Sequence, residues 1–117
     1  MTKTSELIGA ELDKWTALAD ECIPVMTGEF SHDEEGGDIR DECYVNGFLY
    51  EPSTNWQQGG PLIEKYNIEL QTSGDGLWLA NIWHEVECTS AEGGETPLIA
   101  AMRCIVASKY GDEVNDI

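Results

Sequence analysis

From Leu77 to Cys88 the sequence alternates along an unbroken run, and no other feature limits the possible folds as tightly. Trp78, Ala80, Ile82, His84, Val86 and Cys88 share one face of an extended segment, and Leu77, Leu79, Asn81, Trp83, Glu85 and Glu87 share the other. A period of two is the signature of a strand with one face on a core. The even-numbered face is the expected core side, with Leu79 and Trp83 needing partial cover. Tyr66, Ile68 and Leu70 predict a second strand over about residues 66–71. Ser73-Gly74-Asp75-Gly76 lies between the two as a turn, so the pair reads as an antiparallel hairpin.

Helical periodicity flanks this hairpin at both ends of the chain. Ile8, Leu12, Trp15, Ala19 and Cys22 recur at intervals of four and three, which predicts an amphipathic helix near 5–22. Thr4 or Ser5 is placed to cap it, Glu6 and Glu11 suit its positive end, and Pro24 stops it. Thr96-Pro97 opens a second helix with a capping hydroxyl followed by proline in the first turn, where a missing N–H costs nothing. Leu98, Ala101, Met102, Ile105 and Val106 give that helix a wide apolar face, and Lys109 and Gly111 suit its end.

Tyr44 to Tyr50 is strand-like, although Asn46-Gly47 also allows a hairpin turn inside it. Thr89 to Glu95 reads as a polar loop, and Asp112 to Ile117 as a loose tail. The expected fold class is α+β: a small antiparallel sheet with an N-terminal and a C-terminal helix packed on it, formed by one domain over residues 1–117. A chain of 117 residues buries enough surface to need no covalent staple.

Charge narrows the function. Six basic residues face 23 acidic ones, a net charge of −17. Direct binding to nucleic acid or to an anionic membrane is therefore not expected. Seven acids crowd Glu29 to Glu42 against Arg40 alone, in a segment near 28–42 that reads as an acidic loop. The ordinary role of such a run is a solvated surface. The sharper one is a decoy in which Asp33, Glu34, Glu35 and Asp38 copy the charge of DNA and bind a basic, nucleic-acid-handling host or phage protein. Cys22, Cys43, Cys88 and Cys104 form no Cys-x-x-Cys pair and are expected as buried free thiols. No metal site and no cofactor are expected. No apolar run is long enough to span a bilayer, and the first residues lack the pattern of a secretory signal. The expected location is the cytoplasm.

Tyr50-Glu51-Pro52-Ser53-Thr54-Asn55-Trp56-Gln57-Gln58-Gly59-Gly60-Pro61-Leu62-Ile63 combines loop-forming residues with a large aromatic. Trp56 offers a flat face on which a base can stack. Asn55, Gln57 and Gln58 offer donors and acceptors for ring edges. Gly59 and Gly60 read as turn geometry that lets a ligand approach backbone N–H groups, and Arg103 is placed to counter a phosphate. The alternative is that Trp56 plugs the core while Asn55 bonds backbone. No nucleophile elbow, phosphate-binding loop with lysine, or paired-histidine metal motif occurs, so an enzyme is not expected.

Three strings carry a resemblance: Lys3-Thr4-Ser5-Glu6-Leu7 with Leu12-Asp13 and Trp15; Tyr50 to Ile63; and Pro97-Leu98-Ile99-Ala100-Ala101-Met102-Arg103 through Ala107-Ser108-Lys109. Together they resemble the NinX-like family of tailed-phage and prophage proteins. The strings cover roughly half the chain and leave out the acidic Glu29–Glu42 run. The family brings no catalytic residues to carry over. What it implies is a small accessory protein at work inside an infected bacterium. The leading expectation is a counter-defence protein that sequesters a nucleotide-like host signal; the alternative is the acidic decoy. Self-association into a homo-oligomer is compatible with either.

Overall fold

The computed structural model describes residues 2–27, 42–84 and 87–115. The segment between the first two stretches holds Asp33, Glu34, Glu35 and Asp38, so the acidic-loop expectation lies outside the described residues. The elements are β1 (Thr2–Lys3), a 3₁₀ turn (Thr4–Glu6), α1 (Gly9–Ala19), β2 (Pro24–Thr27), β3 (Glu42–Val45), β4 (Phe48–Leu49), α2 (Trp56–Lys65), β5 (Ile68–Thr72), β6 (Trp78–His84), β7 (Glu87–Gly94), α3 (Pro97–Tyr110) and β8 (Glu113–Val114). The fold is α+β with three antiparallel sheets, ordered β1-β8, β2-β3-β4 and β5-β6-β7. One sheet with two helices was expected; the described residues form three sheets and three helices.

α3 is the centre of the fold. Thr96 caps it by accepting from Ile99 N–H, Pro97 occupies its first turn, and Gly111 closes it at φ 84°. Leu98, Met102, Ile105 and Val106 are buried on it, and the last three share one core cluster with Leu12 and Trp15 of α1 and Ala80 of β6. α3 lies on β6 and β7 so closely that a Cβ at Gly94 would stand 2.6 Å from Ala100 N. Gly94 therefore serves helix–strand contact rather than a loop.

The β5–β6 hairpin forms as expected, with Ile68 opposite Ile82 and Thr72 opposite Trp78. The long alternating run does not stay in one strand. It divides between β6 and β7, with an irregularity of register at Ile82/Trp83, so Glu87 and Cys88 pair back on the strand they were expected to extend. The polar stretch 89–95 is mostly strand β7. Its Ser90 donates a buried hydrogen bond to Cys104 O at 2.9 Å, which gives a polar residue a place against α3.

α1 is shorter than the predicted 5–22. Leu12, Trp15 and Ala19 face the core as expected, but Ile8 is exposed and Cys22 lies beyond the helix end. Thr4 does not cap α1; its hydroxyl donates to Gly111 O at 2.7 Å and joins the two ends of the fold. The helix has already stopped when Glu21 enters the left-handed region at φ 62°, and Pro24 starts β2 instead. The expected loose tail is pinned: β8 pairs with β1, and Val114 is buried. Asn46 and Gly47, at φ 54° and 82°, make the hairpin turn between β3 and β4. All four cysteines are free; Cys43 and Cys104 are buried, Cys22 is half-buried and Cys88 is exposed, contrary to the expectation of four buried thiols. No helix among the described residues is long and apolar enough to cross a membrane.

Candidate functional site

The Trp56 stretch is a helix, not a loop. Asn55 accepts from Gln57 N–H at 2.9 Å through its side chain, a helix N-cap that was hidden in the sequence by Gly59-Gly60-Pro61. Gly59 is dictated by packing. A Cβ there would stand 2.5 Å from both Leu98 Cδ2 and Pro52 O, so glycine lets the start of α2 meet the start of α3. A Cβ at Gly60 would meet nothing within 4 Å. Pro61 lies inside the helix.

Several expected ligand-reading groups are committed to the protein itself. Asn55 caps α2. Gln58 accepts from Glu51 N–H and donates to Leu49 O at 2.7 Å, tying α2 to β4. Arg103 donates from Nε to Leu7 O at 2.8 Å and from Nη1 to Gly93 O at 3.0 Å. Burial pulls its pKa down, against the opposing pull of Glu92 and Glu95. Arg103 is thus a brace between the 3₁₀ turn, β7 and α3, and it does not line the Trp56 groove. Gln57 is exposed.

Trp56 does not plug the core: it is 55% exposed. It borders a groove of about 210 Å³ with Ser53, Thr54, Thr96, Pro97, Leu98 and Ile99. Of the expected site residues only Trp56 lines this groove. Its other walls come from the first turn of α3 and from the two residues before Asn55, which no sequence pattern had linked. Two helix N-termini therefore face one concavity. Among the described residues neither Trp56 N–H nor Leu98 N–H meets an acceptor. Backbone N–H groups and helix dipoles at such ends favour negative charge. The lining holds no carboxylate, unlike the cleft bordered by Asp13, Glu42 and Glu51 or the one bordered by Glu92 and Asp112.

Behind the groove, Asp13 of α1 is 4% exposed and accepts from Ser53 N–H at 2.9 Å. Burial raises its carboxyl to about 6; hydrogen bonds from Ser53 oppose this and Glu51 adds to it. Beside Asp13, the Tyr50 hydroxyl is buried without a partner, and burial pushes its pKa up. No group of three or more histidine, cysteine or acidic side chains among the described residues is arranged to hold a metal.

The family model described as Bacteriophage P22, NinX matches residues 3–109. The matched span includes the acidic stretch that the three resembling strings leave out. No curated protein matches the chain.

Proposed function

The chain belongs to the phage NinX family, and we propose that it is a non-catalytic binding protein whose Trp56 groove takes up a small planar anion of nucleotide type. The observation that carries this reading is an exposed tryptophan at a carboxylate-free concavity onto which two helix N-termini open, in a protein of net charge −17. A base stacks on Trp56. A phosphate takes the unpaired N–H groups of Trp56 and Leu98, and the Thr54 and Thr96 side chains stand close by. The groove is smaller than the roughly 300 Å³ at which sites for drug-sized ligands begin, so it holds one ring and its first phosphate and leaves the rest of the ligand in solvent. The distant acidic field opposes binding but is screened beyond about 8 Å at physiological salt, whereas the N–H groups act at contact. In an infected bacterium, uptake of this kind withdraws a nucleotide-like host signal from its receptor. Amide-resolved NMR titration with mononucleotides and cyclic dinucleotides tests the reading. The Trp56 indole and the Trp56 and Leu98 amides should shift together; shifts elsewhere with these three unmoved contradict it.

A further inference from the structure

We propose that Asp13 makes uptake in the Trp56 groove proton-linked, so that the groove binds its anion together with a proton held by this carboxyl. The inference rests on the groove reading above and adds the regulation of that site. The turn that leads from Glu51 to Asn55 stands between two concavities. On one side is the Trp56 groove, which Ser53 and Thr54 line. On the other is a cleft of about 180 Å³, lined by Asp13, Tyr50 and again Thr54. Asp13 Oδ1 accepts the Ser53 N–H at 2.9 Å, so its carboxyl lies against the back of the groove wall. That carboxyl is nearly sealed from solvent, and among the described residues no cationic side chain pairs with it.

The surroundings of Asp13 oppose its charge. A buried carboxylate without a cation favours its neutral form, and burial raises this one to about 6. Glu51 of the turn faces it and pushes in the same direction, and Glu42 of β3 borders the same cleft. The Cys43 thiol of β3 and the Tyr50 hydroxyl also face it; burial pushes both up, so neither ionises near 6. Lys14, the neighbouring cation on α1, is paired with Glu11 at 3.1 Å. β2 carries no titratable side chain. α3, packed on the same helix, commits Arg103 to the Leu7 and Gly93 carbonyls and leaves Lys109 exposed. An anion in the groove adds a further negative charge across a single turn of chain, in surroundings that screen less than water. It therefore favours protonated Asp13, and by linkage protonated Asp13 favours the anion by the same factor. Affinity is full below about pH 6 and falls as Asp13 ionises above it.

The test is calorimetric titration of the full chain with cyclic mononucleotides and cyclic dinucleotides at about pH 5 and about pH 8. Their phosphodiesters keep one charge over this range, whereas a terminal phosphate itself titrates near about 6. Affinity should be about fivefold or more higher at the lower pH. Near about pH 7 the heat should vary with the ionisation enthalpy of the buffer, in the sense of proton uptake on binding. Asp13→Asn, neutral throughout, should bind equally at both pH values and take up no proton. Carbon-13 NMR of the Asp13 carboxyl in the wild type needs no variant: its titration midpoint should lie higher with ligand bound than without. Equal wild-type affinity at the two pH values, or a midpoint that ligand does not move, overturns this inference and leaves the groove reading standing. No binding at either pH overturns the groove reading and this inference with it.

Discussion

Asp13 Oδ1 accepts the backbone N–H of Ser53 at 2.9 Å, so the buried flank of α1 holds the turn that leads into α2, whose first residue is Trp56. This one bond couples the core to the groove, and it involves a carboxyl whose proton is held unusually tightly. Burial sets the Asp13 pKa at about 6 in the folded protein, against an ordinary value of 3.8. The native state therefore binds more protons than the unfolded chain between those values, and stability from this group is full below about pH 4 and lost as pH rises through 6.

Asp13→Asn keeps an acceptor for Ser53 N–H and removes the titration. The stability of wild type relative to the variant should fall by about 1–3 kcal/mol between pH 4 and pH 7 in paired denaturant melts. A difference that does not change with pH contradicts the assignment.

Gly59 and Gly60 should respond in opposite directions to alanine. Gly60→Ala places a methyl in open space within a helix and should stabilise by about 0.5–1 kcal/mol. Gly59→Ala drives the same methyl into Leu98 and the Pro52 carbonyl and should destabilise by about 1–3 kcal/mol despite the same helical preference. Thermal melts of the two variants decide it; equal shifts would mean that α2 does not meet α3 at Gly59.

Met102 and Ile105 are fully buried on the face that α3 turns to the core. Alanine at either position should cost about 2–4 kcal/mol. A loss under about 0.5 kcal/mol in denaturant melts would place that face outside the core.

Arg103 separates a brace from a ligand contact. Arg103→Met leaves the Leu7 carbonyl without its partner and should cost about 1–3 kcal/mol of stability. Nucleotide binding measured on the folded variant should stay within about twofold of wild type, because Arg103 does not line the groove. A loss of binding beyond about tenfold would restore it as a phosphate contact.

The features most legible in the sequence were those whose signals are local. Thr96-Pro97 and Gly111 marked both ends of α3, and Ser73 to Gly76 marked the β5–β6 turn. Residues whose role depends on a distant neighbour were misread. Gly59 and Gly94 look like loop glycines until another element is seen to press on them. Asn55 is a helix cap, but the Gly-Gly-Pro that follows argues for a turn on local preference alone. The alternating run 77–88 has the right period on both sides of its reversal, so alternation alone could not show where the chain turns back. At the site, Trp56 was legible as a large aromatic in a polar setting. Its partners Thr96 to Ile99 were not, because about forty positions separate them from it and only the contact between α2 and α3 brings them together.

The central claim is that Trp56 is the stacking face of a nucleotide-type ligand, and calorimetric titration of wild type and Trp56→Ala tests it most directly. Mononucleotides and cyclic dinucleotides are titrated at low salt, with circular dichroism confirming that both proteins are folded. The account predicts that wild type binds at least one of these ligands and that Trp56→Ala weakens that binding by about tenfold or more, in keeping with about 1–3 kcal/mol for one base stacked on an aromatic ring. No heat of binding from any of them, or equal affinity in the two folded proteins, contradicts it.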